Sequence, residues 1–112
     1  MINEMDDYIK ICKKDDLKEK VGKRFLVNDI EVAVFKVDGE VYALSNICPH
    51  QHTHLIYDGF VENGLVACPL HGWEFNLKTG NMAEGRKGLD CFKVKIIDGE
   101  VYVKVFKKEF NW

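Results

Sequence analysis

No stretch of this chain approaches the roughly 18 consecutive apolar residues that cross a bilayer, and its N-terminus, MINEMDDYIKIC, lacks the basic and apolar regions of an export signal. Positive charge is not in surplus either. Sixteen Lys and Arg face eighteen Asp and Glu, a net charge of −2, which leaves nothing to follow a phosphate backbone. Neither nucleic acid nor membrane is expected as a partner, and the expected setting is soluble and cytoplasmic. The sequence also lacks a Gly-rich dinucleotide motif and a Ser-His-Asp set, so no independent catalytic site is expected. Proline occurs twice and histidine four times, all between residues 47 and 86.

What is present is enough for one core. A chain of 112 residues that is 46% hydrophobic has the size of a single domain, expected over 1–112. Its segments between turn signals are short, β-branched and aromatic, which predicts an all-β fold. KRFLVN (23–28) and EVAVFKV (31–37) form the clearest pair of strands, with a weaker one around 8–12. Asp38-Gly39 and Asp98-Gly99 each separate two extended apolar runs, as two-residue hairpin turns do. In the last hairpin Phe92, Val94, Ile96, Val101, Val103 and Val105 should face the core, with Lys93, Lys95 and Lys104 in water. Asp15 reads as the cap of one short helical turn through DLKEKVG, ending at Gly22. Gly59, Gly64, Gly72 and Gly80 read as turn or close-approach positions.

The four cysteines divide by their company. Cys12 and Cys91 stand in apolar segments and read as ordinary buried thiols, whereas Cys48 and Cys68 each precede a proline and lie close to histidine. In the absence of an export signal, metal binding is a better reading of that pair than a disulfide. The pattern is Cys48-x-His50, seventeen residues, then Cys68-x-x-His71. Two thiolates and two imidazoles can close on zinc or hold a [2Fe–2S] cluster. On one zinc ion a Cys-x-His pair must bend onto a single centre, while a cluster lets each loop contribute to both irons, so the spacing suits a diiron centre.

At these residues, CPH and then CPLHGWEFNLKTG, the chain resembles the Rieske [2Fe–2S] family, and the resemblance extends over nearly the whole sequence. It implies an antiparallel β-sandwich with a small inserted cluster-binding subdomain, here about 47–86. It also implies one cluster per chain, with Cys48 and Cys68 on one iron and His50 and His71 on the other. Two neutral imidazoles in place of two thiolates make the centre less negative, so Rieske potentials lie at about −150 to +300 mV against about −400 mV for plant-type ferredoxins. High-potential members carry an extra cysteine in each loop and hydroxyl donors to the cluster sulfurs. The matching positions here are Thr53, Leu70, Trp73 and Phe75, which implies the lower end of the range.

By the same resemblance the function is one-electron transfer from a reductase to a terminal oxygenase or similar acceptor. The alternatives are the small subunit of a nitrite-reductase-like complex or a zinc-stabilised binding module. His52 and His54 are expected at the rim of the site without touching iron, with Trp73 and Phe75 as core residues above it. Where the family has a proline-bearing loop over the cluster, NMAEGRKG (81–88) would serve here.

Overall fold

A run such as IEVAVFKV, apolar at adjacent as well as alternate positions, suits a strand covered on both faces. It forms β3 (Ile30–Val37). The other strands, in chain order, are β1 (Ile9–Lys13), β2 (Lys23–Val27), β4 (Glu40–Ser45), β5 (Phe60–Glu62), β6 (Leu65–Ala67), β7 (Glu74–Asn76), β8 (Cys91–Ile97) and β9 (Glu100–Lys104). They are seen in a computed structural model that describes residues 8–48, 54–70, 72–82, 86 and 88–106.

Six strands form one sheet in the order β1-β9-β8-β4-β3-β2, and the three short strands form a second in the order β5-β6-β7. Every ladder is antiparallel. The three-stranded sheet falls within the expected 47–86 insertion. The all-β, two-sheet architecture expected from the sequence is therefore present.

β3 is the wall between two cores. Val32 and Val34 join Leu17, Val27, Ala43, Phe92, Val101 and Val103 on one side. Ala33 and Phe35 join Leu44, Ile56, Val66, Phe75, Leu77, Leu89, Cys48 and Cys68 on the other. β4 repeats the division, with Ala43 in the first cluster and Leu44 in the second. The first core stabilises the large sheet, and the second joins that sheet to the insertion.

Both Asp-Gly pairs make the expected turns, with positive φ at each central residue: 52° and 80° at Asp38-Gly39, 52° and 75° at Asp98-Gly99. Asn28-Asp29 and Asn63-Gly64 adopt the same conformation between β2 and β3 and between β5 and β6. Of the glycines expected at special positions, Gly64, Gly72 and Gly80 have positive φ, and Gly59 is a close approach, where a Cβ would stand 2.4 Å from the Ala67 carbonyl oxygen.

Several expectations need correction. Asp15 does not cap a helix running to Gly22: a 3-10 turn spans only Lys14–Asp16, and Leu17 is already extended. Only Leu17 is buried in this segment and Val21 is 54% exposed, so no apolar stripe exists to hold further turns against the core. Gly22 instead lets the chain pass closely over Phe35 and the Tyr57 carbonyl, which a Cβ would meet at 2.5 and 2.1 Å. It is not the only turn of its kind, since a second 3-10 turn, Ile56–Asp58, follows the first expected ligand loop.

In the last hairpin Phe92, Val101 and Val103 are buried, but Ile96 is 41% exposed. β8 pairs with β4 only through Cys91 and Phe92, so its far end extends past the neighbouring strand. Lys95 is half-buried, with Nζ 4.9 Å from the centre of the Tyr8 ring. Cys12 and Cys91 are partly rather than fully buried.

Candidate metal centre

The first expected ligand loop begins where β4 ends. Asn46, with no exposed surface, uses its whole side chain: Nδ2 donates to Glu31 Oε1 (3.0 Å) and to the His54 carbonyl (3.1 Å), and Oδ1 accepts from the Tyr57 amide (2.8 Å). A buried amide costs free energy unless its groups are paired, so this pattern fixes one arrangement of the chain. Two residues later Cys48 is turned into the second core, 1% exposed.

The second loop begins where β6 ends. Cys68 donates its amide to the Trp73 carbonyl (2.8 Å), and Gly72 donates back to the Cys68 carbonyl (2.8 Å), closing a tight turn. Gly72 has φ 72°, a region in which a side chain is strained. The turn leaves Cys68 buried and Leu70 47% exposed at the tip. The loop after β7 is held by Asn76, whose Oδ1 accepts from the amides of Lys78 and Thr79, and by Gly80, which donates to the Asn76 carbonyl.

Cys48 and Cys68 therefore reach one apolar cluster from separate loops, packed among Ile56, Val66, Phe75 and Leu77 with Trp73 and Met82 beside them. All four cysteines lie among the described residues, and none is in a disulfide. Cys91, partly buried, also packs against this cluster, whereas Cys12 does not. Cys12 packs on the core of Val32, Val34 and Val101, and the Cys91 thiol donates to the Lys78 carbonyl at 3.1 Å. Burial pushes both of these thiols above the ordinary cysteine value. Phe75 is in the core as expected, and Trp73 is half-buried on it.

His50 and His71, the two expected nitrogen ligands, lie outside the described residues, as do His52 and part of the 81–88 segment. Among the described residues no group of three or more His, Cys, Asp and Glu side chains gathers in a metal site. His54 is described. It is exposed, and its Nδ1 contacts Glu31 Oε2. Burial opposes ionisation of the Glu31 carboxyl, but hydrogen bonds from Asn46 and His54, with the charges of His54 and Arg24, outweigh it and hold the group below the ordinary glutamate value.

Neither Glu31 nor Asn46 was singled out in the sequence. An Asn at the end of a strand is a turn signal that could have drawn attention to Asn46. Its partner Glu31 had no local signal.

Two soft, buried sulfur donors from separate loops fit an iron–sulfur centre by donor chemistry. The model of the Rieske-like [2Fe-2S] domain matches residues 7–104. The chain belongs to the Rieske-like [2Fe-2S] family. The [2Fe-2S] cluster is the cofactor this family is named for.

Several relatives of this Rieske domain are of similar length. It is 32% identical over 103 residues to the ferredoxin component of an alkene monooxygenase system from Xanthobacter autotrophicus, covering 89% of this chain and 84% of the relative. It is also 32% identical over 104 residues to Ferredoxin CarAc of Metapseudomonas resinovorans, covering 90% and 96%. Among solved structures, the ferredoxin of carbazole 1,9a-dioxygenase from Nocardioides aromaticivorans is 28% identical, with TM-score 0.78 and coverage of 86% and 95%. A candidate NADH-dependent nitrite reductase small subunit from Mycobacterium tuberculosis, at 23% identity, shares the fold with TM-score 0.83 and coverage of 90% and 96%. No described helix is long and apolar enough to cross a membrane.

Proposed function

We propose that this chain is a ferredoxin-type one-electron carrier in which Cys48 and Cys68 bind one iron through sulfur and His50 and His71 bind the other through ring nitrogen. The observation that carries this reading is the burial of Cys48 and Cys68 in a single apolar cluster, reached from two loops, in a chain of the Rieske family. When bound, the cluster supplies one reversible electron. The chain's own part is to hold the two sulfur ligands in a dry site walled by Phe75, Leu77 and Ile56. The exposed Leu70 tip of the second loop lies on the face offered to redox partners.

The acceptor in this reading is an oxygenase or similar enzyme, and the donor is a flavin-dependent reductase. Ferredoxin components of oxygenase systems among the relatives, and a solved complex of reduced oxygenase with oxidised ferredoxin whose matching chain is 28% identical with TM-score 0.76, support it. The chain acts as one domain over 1–112, in the cytoplasm, without a catalytic site of its own. Leu70 and Phe75, where high-potential members have cysteine and hydroxyl groups, favour a lower potential.

The purified holoprotein should be red-brown and give a Rieske-type paramagnetic resonance signal on reduction, and the reduced form should be reoxidised by an oxygenase under turnover. A colourless protein holding one zinc per chain would refute the proposal. Stable co-purification with a siroheme enzyme, and no turnover with any oxygenase, would shift it to the small subunit of a nitrite-reductase-like complex.

A further inference from the structure

The loop that carries Cys48 and His50 leaves the scaffold at Asn46 and returns at His54, and both ends are tied to one carboxylate. Glu31 Oε1 accepts from Asn46 Nδ2 at 3.0 Å, and Glu31 Oε2 contacts His54 Nδ1. The neck is also bridged directly, because the same Asn46 Nδ2 stands 3.1 Å from the His54 carbonyl. Backbone bonds complete it: the Asn46 amide donates to the Glu31 carbonyl (3.0 Å), and the Ile56 amide to the Asn46 carbonyl (3.3 Å). Tyr57, one residue further, donates its amide to Asn46 Oδ1 at 2.8 Å.

Such an arrangement does more than fill space. The anchor, Glu31, is on β3, the strand shared by both cores, so the neck is referred to the most deeply held part of the molecule. Closing a loop at its neck removes most of the conformations its interior could sample. Part of the cost of holding Cys48 in place is then met by the fold rather than at metal binding.

We propose that Glu31, Asn46 and His54 are positioning residues for the cluster, forming a clasp that holds the first ligand loop in register with the second. None is assigned as an iron ligand; they act through the backbone of the loop. The proposal rests on Cys48 as a ligand. His54, read from the sequence only as a rim histidine, is thereby given a definite task.

The test uses holoprotein variants His54→Ala, Glu31→Ala and Glu31→Gln, followed by iron release to a chelator, by resonance spectrum and midpoint potential, and by thermal unfolding. Losing the His54 contact at the neck should speed iron release about tenfold in His54→Ala, with an altered spread of g-values; Glu31→Gln, which gives up the carboxylate that His54 contacts but keeps an acceptor for Asn46, should speed it by no more than His54→Ala does, and Glu31→Ala, which loses both, by more. The clasp is overturned if His54→Ala and Glu31→Ala release iron at the parent rate with unchanged spectrum and potential, even where the unfolding temperature falls. Should Glu31→Ala not fold, the exposed His54 position decides alone. Cys48→Ala separates this result from the ligand assignment: a retained Rieske-type signal in that variant removes the assignment and the clasp with it, whereas its loss leaves the clasp to be judged by His54→Ala.

Discussion

Val34 and Phe35 are consecutive residues of β3, and their side chains lie in different cores. Val34 packs with Val101 and Val103 inside the large sheet, whereas Phe35 packs with both buried cysteines under the insertion. The strand thus transmits position from a redundant, well-packed scaffold to the metal-binding side without any residue having to serve both.

Truncation on the two faces should have different signatures. Phe35→Ala should cost about 3–5 kcal/mol and lower cluster occupancy, since it opens a cavity in the core that holds Cys48 and Cys68. Val34→Ala should cost roughly 2 kcal/mol and leave the visible spectrum unchanged. Urea unfolding with iron content and visible absorbance measures both.

The two pairs of cysteines should behave as two classes. Cys48→Ser or Cys68→Ser should abolish the cluster, while Cys12→Ala with Cys91→Ala should keep full iron content. In the holoprotein, alkylation at neutral pH should be slow at Cys12 and Cys91, whose thiols burial pushes up, and mass spectrometry after timed labelling reads it.

Replacing a nitrogen ligand by sulfur adds negative charge to the centre. His50→Cys or His71→Cys, wherever a cluster still assembles, should shift the midpoint potential down, toward the about −400 mV of all-cysteine centres. His52→Ala should retain its iron. Spectroelectrochemical titration of the purified variants tests all three.

Glu31 gives the fold a dependence on acid. A carboxyl held below its ordinary value contributes stability that is complete above that value, about 4.3, and is lost as pH falls through the lower folded value. The urea midpoint should therefore drop more steeply below about pH 4.3 in the parent than in Glu31→Gln. Equal slopes would mean that Glu31 titrates alike folded and unfolded.

Much of this was legible in the residues. Period-two alternation and Asp-Gly pairs marked the hairpins, because both signals are local. EVAVFKV read as a strand, but nothing within seven residues says what covers each face. The expected helix after Asp15 failed for the opposite reason: LKEKV has helical spacing, and only tertiary packing reveals that Val21 faces solvent. At the site, Cys48 and Cys68 were legible because their chemistry is rare and their spacing is tight. Glu31 and Asn46 were not, since an acidic residue on a strand and an asparagine at its end are common, and their pairing joins positions far apart in the chain. His54 read as a rim residue, and nothing local pointed to its contact with Glu31 across the neck.

The two sheets are separate hydrogen-bonded ladders that meet through side chains. Opening the β5-β6-β7 ladder therefore breaks no rung of the six-stranded one. Burial ties them together all the same, because Phe35 and Leu44 of the large sheet share one core with Val66 and Phe75 of the small one.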